Sequence, residues 1–81
     1  MITPDVTHVQ PLQNYELLGS FADGGKRLFS MLPYLQYPAY KVLSQPEKFA
    51  LAHVENGTVV WPEEIDMSPD TLYLAGQEVA N

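Results

Sequence analysis

The chain has 81 residues and no cysteine, and its ten acidic and four basic residues give a net charge of −6 with both histidines neutral. That length predicts one domain, residues 1–81, which buries roughly 60–65% of the surface that its unfolded chain exposes. The composition excludes disulfides and thiolate metal sites, and the acidic charge disfavours nucleic acid and anionic membranes while favouring a basic partner.

The N-terminal sequence lacks the basic segment and the apolar run of a signal peptide. No stretch approaches the roughly 18 apolar residues that a membrane-spanning helix needs. We therefore expect a cytoplasmic protein that has no membrane partner.

Three strands are predicted in the first part of the chain. Residues 5–12 are rich in β-branched side chains, and residues 15–21 alternate between two faces with the period of a half-buried strand. The Asp-Gly pair at 23–24 is a hairpin signal, because its residues readily adopt the positive φ angles of a tight turn. Residues 26–31 should therefore return beside 15–21, and the three strands should form an antiparallel meander.

The middle of the chain is interrupted by prolines at positions 33, 38 and 46, which exclude one long helix. Two short helical pieces are expected instead, at 38–43 and 46–49, and each opens on a proline at its first helical position.

A second hairpin is predicted next. Residues 49–55 favour a strand, the Asn-Gly pair at 56–57 is the strongest hairpin signal in the chain, and residues 58–61 should pair back. An exposed edge at Val6–Leu12 or Thr58–Trp61 makes a homodimer an option.

An acidic bend and a short helix should close the fold. Ser68 suits the N-cap, Pro69 the first helical position, and Gly76 the end of the helix, where glycine tolerates a left-handed conformation. Residues 77–81 are expected to be frayed. The predicted fold class is therefore α+β, with a small antiparallel sheet of about five strands in the order β-β-β-α-β-β-α and short helices.

The order of these elements and the segment Val-Val-Trp-Pro-x-x-Ile-Asp-x-Ser-Pro-Asp-Thr-Leu-Tyr at 59–73 resemble domain-of-unknown-function family 2442, a group of small bacterial proteins. The resemblance covers roughly residues 4–74 and is most specific at 61–62 and 66–73. It implies a small α+β fold with an antiparallel sheet and no assigned activity. Residues of the kinds the family favours also stand at Tyr15, Leu17, Phe21, Gly24, Phe29 and Phe49.

The resemblance also implies a setting for the protein. Some relatives look like fusions to a C-terminal helix-turn-helix domain, and others lie beside a second small gene in an arrangement similar to toxin–antitoxin pairs. This chain ends at Asn81, so we expect no such DNA-binding helix pair here and no direct contact with nucleic acid.

The acidic residues of the bend allow three interpretations. Glu63, Glu64, Asp66 and Asp70 could cap the helix and remain solvated, could face a basic protein, or could offer oxygen ligands to a hard cation. Their spacing matches no calcium-loop pattern. We therefore predict no metal site and no cofactor.

The candidates for chemistry are few. His8 and His53 lie on predicted strands that could be neighbours, and with the Asp66 region they could form a metal or acid–base site, although surface or half-buried structural roles are the favoured interpretation. No serine has the Gly-x-Ser-x-Gly setting of a hydrolase nucleophile. No catalytic residue is assigned, and an enzyme is the less favoured reading.

Three tyrosines, Tyr34, Tyr37 and Tyr40, recur at a spacing of three. They could cover the sheet as a lid, or they could form an interface, because tyrosine combines apolar area with a hydroxyl that tolerates water.

The favoured hypothesis is a non-enzymatic protein-binding module, a regulatory or antitoxin-like partner of a neighbouring small protein. The alternative is a small-ligand or metal-binding domain with hydrolytic activity, built from His8, His53 and the Asp66 region. The predicted partner-binding residues are Tyr34, Tyr37, Tyr40, Glu63, Glu64 and Asp66.

Overall fold

The computed structural model describes residues 3–79, which contain seven strands and two α-helices. The strands are β1 (Val6–Pro11), β2 (Glu16–Phe21), β3 (Lys26–Ser30), β4 (His53–Glu55), β5 (Thr58–Trp61), β6 (Ile65–Met67) and β7 (Gln77–Glu78). The helices are α1 (Pro46–Phe49) and α2 (Pro69–Ala75). Short 3₁₀ segments lie at Leu32–Tyr34 and Pro38–Ser44, and Gln13–Tyr15 is a tight turn with positive φ angles at Asn14 and Tyr15.

The strands form two antiparallel sheets within the described residues. The first sheet has the order β1-β2-β3-β7, and the second has the order β4-β5-β6. The α+β class and the meander of the first three strands are thus confirmed. A single sheet of about five strands is wrong in detail, because the second hairpin acquires a third strand and forms a sheet of its own.

The two strands that the sequence did not predict are short. Ile65 of β6 pairs with Trp61, so part of the expected acidic bend is a strand. Gln77 of β7 pairs with Leu28, although residues 77–81 were expected to be frayed. Of that stretch, residues 80–81 lie outside the described residues. Strands of two or three residues carry too little hydrophobic pattern to be recognised without their partners.

The strand predicted at 49–55 begins later than expected. Phe49 ends α1, and the backbone continues to turn, since the Ala50 amide donates to the Pro46 carbonyl at 3.0 Å and Leu51 to Lys48 at 3.1 Å. Only His53–Glu55 pairs as a strand. Both predicted helical pieces are present, the first as the 3₁₀ helix Pro38–Ser44 and the second as α1.

The Asn-Gly hairpin is confirmed and also joins the two sheets. Asn56 and Gly57 have φ angles of 51° and 76°, as a tight primed turn requires. The Val6 amide at the edge of β1 donates to the Gly57 carbonyl at 3.0 Å. Thr58–Trp61, by contrast, is the central strand of its sheet, so the expectation of a free edge there is wrong.

The core is made of apolar side chains from both sheets and from the helices. Trp61 is 3% exposed, and its indole N–H donates to the Phe49 carbonyl at 3.0 Å, so its polar atom is satisfied inside the core. The buried set is Val6, Leu17, Phe21, Phe29, Met31, Leu43, Phe49, Val59, Trp61, Met67 and Leu72.

Helix α2 begins as predicted and ends for a different reason. The Asp70 amide donates to the Ser68 hydroxyl at 3.1 Å, which confirms the N-cap. Gly76 ends the helix, but its φ is −76°, so the expected left-handed conformation is absent. Glycine is needed there because a Cβ atom would lie 2.4 Å from the Leu72 carbonyl oxygen. In the described part of the chain, no helix is long and apolar enough to cross a membrane.

The seating of α2 on the first sheet depends on Gly19. A Cβ atom at Gly19 would lie 2.5 Å from Cδ2 of Leu72, which is fully buried. We expect Gly19→Ala to lower the free energy of unfolding by about 1–3 kcal/mol, because the added methyl group overpacks this contact. Urea denaturation followed by Trp61 fluorescence measures the change.

A double-mutant cycle tests the cause of that loss. Leu72→Ala alone should cost about 2–5 kcal/mol. In that background Gly19→Ala should cost at least about 1 kcal/mol less than in the wild type, because the space is then free. Equal costs in both backgrounds would show that the methyl group meets something other than Leu72.

Candidate protein-interaction surface

The three tyrosines lie on successive hydrogen-bonded turns of the backbone. The Tyr34 amide donates to the Met31 carbonyl at 2.8 Å, that of Tyr37 to Tyr34 at 3.1 Å, and that of Tyr40 to Tyr37 at 2.9 Å. Bonds between residues three apart bring side chains at this spacing to the same side of the backbone. The prolines at 33 and 38 are compatible with these turns because each lies at an early position of its 3₁₀ segment.

The tyrosines differ in their burial. Tyr34 is half-buried, with its ring centroid 5.2 Å from Phe29 of the core and 6.0 Å from Tyr37. Tyr37 itself is 50% exposed. Tyr34 and Tyr40 therefore pack against the core as a lid would, while Tyr37 presents its ring to solvent.

Tyr40 links this segment to the second sheet. Its hydroxyl donates to the Asp66 backbone carbonyl in β6 at 3.1 Å. Burial raises the pKa of the Tyr40 phenol, and the Asp66 carboxylate and the Tyr34 phenol raise it further. The phenol thus stays protonated and available as a donor at the edge of β6, and it brings tyrosine and acid together.

The acidic bend is a three-residue connection between β5 and β6. Its second and third residues, Glu63 and Glu64, have φ angles of 70° and 62°, although neither is glycine. This conformation is unfavourable for side-chain-bearing residues and is maintained here by the pairing of Trp61 with Ile65 on either side. Both glutamates are exposed.

The predicted acidic residues are brought together, with one exception. Glu63, Glu64 and Asp66 line a cavity of about 300 Å³ whose opposite wall includes Tyr40. Asp70 is not among the residues that line it. It lies in the first turn of α2, where its amide donates to the capping hydroxyl of Ser68.

The six predicted residues therefore form two groups that the backbone bond from Tyr40 to Tyr37 connects, and we call them together the tyrosine–acid strip: Tyr34, Tyr37, Tyr40, Glu63, Glu64 and Asp66. Ring contact joins the first two tyrosines, and the hydroxyl bond of Tyr40 continues the strip to the acidic bend. A basic residue touches its end, since Lys48 Nζ lies 3.8 Å from Glu63 Oε2 in an exposed pair. Such exposed pairs stabilise proteins little and are easily exchanged for another partner.

The cavity beside Tyr40 is also lined by two residues that the sequence did not indicate. Ala39 and Ile65 line the cavity beside Tyr40. Their position inside the selected segments is the only signal that could have indicated them. The left-handed backbone at 63–64 had no sequence signal, because Glu-Glu is not a pair typical of that conformation.

The two histidines lie in different sheets. His8 is in β1, whereas His53 is in β4, where its Nε2 lies 2.7 Å from Glu55 Oε2 and its Nδ1 lies 3.0 Å from the Leu51 carbonyl. Across residues 3–79, no group of three or more His, Asp or Glu side chains is arranged to hold a metal ion. A ligand or metal site built from both histidines and the Asp66 region stays a prediction.

Comparison with protein families gives one match. The model of a family described as a protein of unknown function (DUF2442) matches residues 6–78. The chain belongs to this family, as the resemblance of its closing segment indicated. No curated protein and no solved structure matches the chain.

The hydroxyl of Tyr40 should contribute to stability. We expect Tyr40→Phe to lower the free energy of unfolding by about 0.5–1.5 kcal/mol, because the Asp66 carbonyl loses its donor. Tyr37→Phe, at the half-exposed ring, is the matched control and should change stability by less than about 0.5 kcal/mol. Urea denaturation measures both, and equal losses would contradict a specific role for Tyr40.

The two groups that bond to the His53 ring should favour its protonated form. The Leu51 carbonyl and then the Glu55 carboxylate raise the pKa of His53 above its ordinary value of 6.5. Protonated His53 therefore stabilises the folded state through these two contacts. This stabilisation is complete below about pH 6.5 and is lost as the pH rises through the folded-state pKa. An NMR titration of the His53 ring should give a midpoint above 6.5, and Glu55→Gln should lower it. A wild-type midpoint at or below that of the urea-unfolded chain would contradict this.

Proposed function

We propose that this member of the DUF2442 family is a non-enzymatic protein-binding module that engages a basic protein through the tyrosine–acid strip. The resemblance to relatives encoded beside a second small gene supports a regulatory or antitoxin-like role toward a neighbouring small protein. The observation that carries the proposal is that the Tyr40 hydroxyl donates to the Asp66 carbonyl and that Tyr40 lines one cavity together with Glu63, Glu64 and Asp66.

The tyrosines suit the centre of such an interface. Tyr37 is 50% exposed and rests against Tyr34, which is itself packed on Phe29. A ring that is already supported loses little conformational freedom when a partner covers it. Tyrosine is also among the residues that contribute most to binding energy when an interface buries them.

The carboxylates suit recognition by charge. Glu63, Glu64 and Asp66 are exposed, so their carboxylates are accessible to the side chains of a basic partner. The net charge of −6 adds a long-range attraction for a basic protein. A field of this kind acts mainly on the association rate and on the choice of partner.

The decisive experiment is co-expression with the product of the adjacent gene. We expect a stoichiometric complex on affinity purification, and a dissociation constant that rises with salt, because screening weakens the charge contacts. Tyr37→Ala should weaken binding about 5–30-fold, the equivalent of about 1–2 kcal/mol at an interface aromatic. If the adjacent gene product does not bind and pull-down from the source cell recovers no stoichiometric partner, the proposal is wrong.

Two double substitutions that each remove two negative charges test whether the acids of the strip contribute to binding. The double substitution Glu63→Gln/Glu64→Gln should slow association and flatten its salt dependence. Glu47→Gln/Glu78→Gln removes the same two charges from exposed positions on α1 and β7, outside the strip. Equal effects of both pairs would show that only the overall charge matters and that the strip is not the binding surface.

A further inference from the structure

A second, chemically different cavity lies where β1 turns into β2 and faces the start of α1. It is half-enclosed, has a volume of about 490 Å³, and shares no lining residue with the tyrosine–acid strip. Its walls are predominantly apolar and include Leu12, Tyr15, Leu32 and Phe49. This volume lies within the range of about 300–1,000 Å³ that is typical of small-molecule sites.

The aromatic wall of this cavity is held in place before any ligand arrives. The rings of Tyr15 and Phe49 meet edge to face with centroids 5.3 Å apart, and the Tyr15 hydroxyl donates to the Ser44 backbone carbonyl. Asn14 and Tyr15 both have a φ of 61°, a conformation rarely adopted by residues other than glycine. The surrounding contacts therefore fix the direction of the Tyr15 ring.

The absence of charged side chains distinguishes this cavity from the one beside Tyr40. No charged residue lines it, whereas the cavity of about 300 Å³ beside Tyr40 is lined by three carboxylates. Besides the Tyr15 hydroxyl, which donates to Ser44, the polar side chains in its wall are the exposed carboxamides of Gln13 and Asn14. Leu32, although it lines the cavity, remains 55% exposed. These walls match a neutral ligand and disfavour an ionic one.

We propose that this cavity binds a neutral, mainly apolar small molecule that carries one amide or hydroxyl group. The apolar part of the ligand packs between the Tyr15–Phe49 wall and Leu32, and its polar group bonds to the carboxamide of Gln13 or Asn14. The site is independent of the tyrosine–acid strip and of any protein partner that the strip binds.

Two probes of nearly the same shape, one neutral and one anionic, test the proposal on the full chain. 4-Methylbenzamide is neutral and carries an amide, whereas 4-methylbenzoate is an anion of nearly equal size. For a ligand of about ten non-hydrogen atoms, we expect the amide to bind with a Kd on the order of 1 mM. The benzoate should bind at least tenfold more weakly.

Amide chemical shifts in ¹H–¹⁵N NMR spectra locate the binding. Saturable shifts should be confined to residues 12–15, 32 and 49–50, with a smaller change at the Trp61 indole, which bonds to the Phe49 carbonyl. Shifts centred on the tyrosine–acid strip, or no saturable shift up to about 10 mM, would overturn the proposal. So would equal binding of the two probes.

Two substitutions at exposed positions separate filling of the cavity from loss of the fold. Ala50→Phe places a ring in the cavity and should abolish the shifts, whereas Leu32→Ser removes an apolar wall and should weaken binding at least fivefold. Leu51→Ser, at a neighbouring exposed leucine that does not line the cavity, is the control. Unchanged binding in a folded Ala50→Phe or Leu32→Ser variant would overturn the proposal.

A series of protein concentrations without any probe tests whether a second copy of the chain covers the cavity instead. If the cavity residues shift with protein concentration and the chain dimerises, a second copy covers the cavity, and the small-molecule proposal is wrong. If they do not shift, the saturable response to 4-methylbenzamide reports the free site.

Discussion

The buried indole of Trp61 is the interaction on which the rest of this structure depends. It lies at the end of β5 in the second sheet, and its N–H donates to the Phe49 carbonyl at the end of α1. The Phe49 ring in turn meets Tyr15, at the entrance to β2 in the first sheet. Trp61, Phe49 and Tyr15 therefore connect both sheets and the helix, and we call them the aromatic chain. Bringing three elements distant in sequence together explains why an 81-residue protein without disulfides has one shared core.

The aromatic chain also positions the two surfaces to which a function is proposed. Trp61 directly precedes the acidic bend, so its burial fixes where Glu63 and Glu64 emerge. Phe49 and Tyr15, at the other end of the aromatic chain, form a wall of the apolar cavity. The acidic surface and the neutral cavity are thus separated by a rigid core, and each keeps its own electrostatic character.

The sequence predicted the parts of the fold that local signals specify. The Asn56-Gly57 turn and the Ser68 cap depend on residues adjacent in the chain, and both are present. The selection of Tyr34, Tyr37 and Tyr40 together with the acids of the bend also identified residues that the structure places side by side. Their adjacency could not be predicted, because it depends on a hydrogen bond between positions 40 and 66, which are far apart in sequence.

The features that the sequence did not predict depend on tertiary context. Strand β7 has two residues and exists only because α2 delivers it to the edge of β3. Gly76 reads as a left-handed helix end, yet its role is to let the chain pass close to the Leu72 carbonyl and to Arg27. The sequence did not indicate the apolar cavity for the same reason, since its walls come from three separate segments and include no acidic, basic or histidine side chain by which a site is usually recognised.

Both proposed sites adjoin the same kind of connection, and this has a physical reason. The Leu12 amide donates to the Glu16 carbonyl at 2.7 Å across residues 13–15, and Trp61 pairs with Ile65 across residues 62–64. Each pairing closes a three-residue connection whose last two residues have positive φ angles. The register of the strands therefore dictates the backbone, at a cost of about 1–3 kcal/mol for each such residue. Because the strands and not the turn residues determine this conformation, the exposed side chains of Gln13, Asn14, Glu63 and Glu64 can serve recognition.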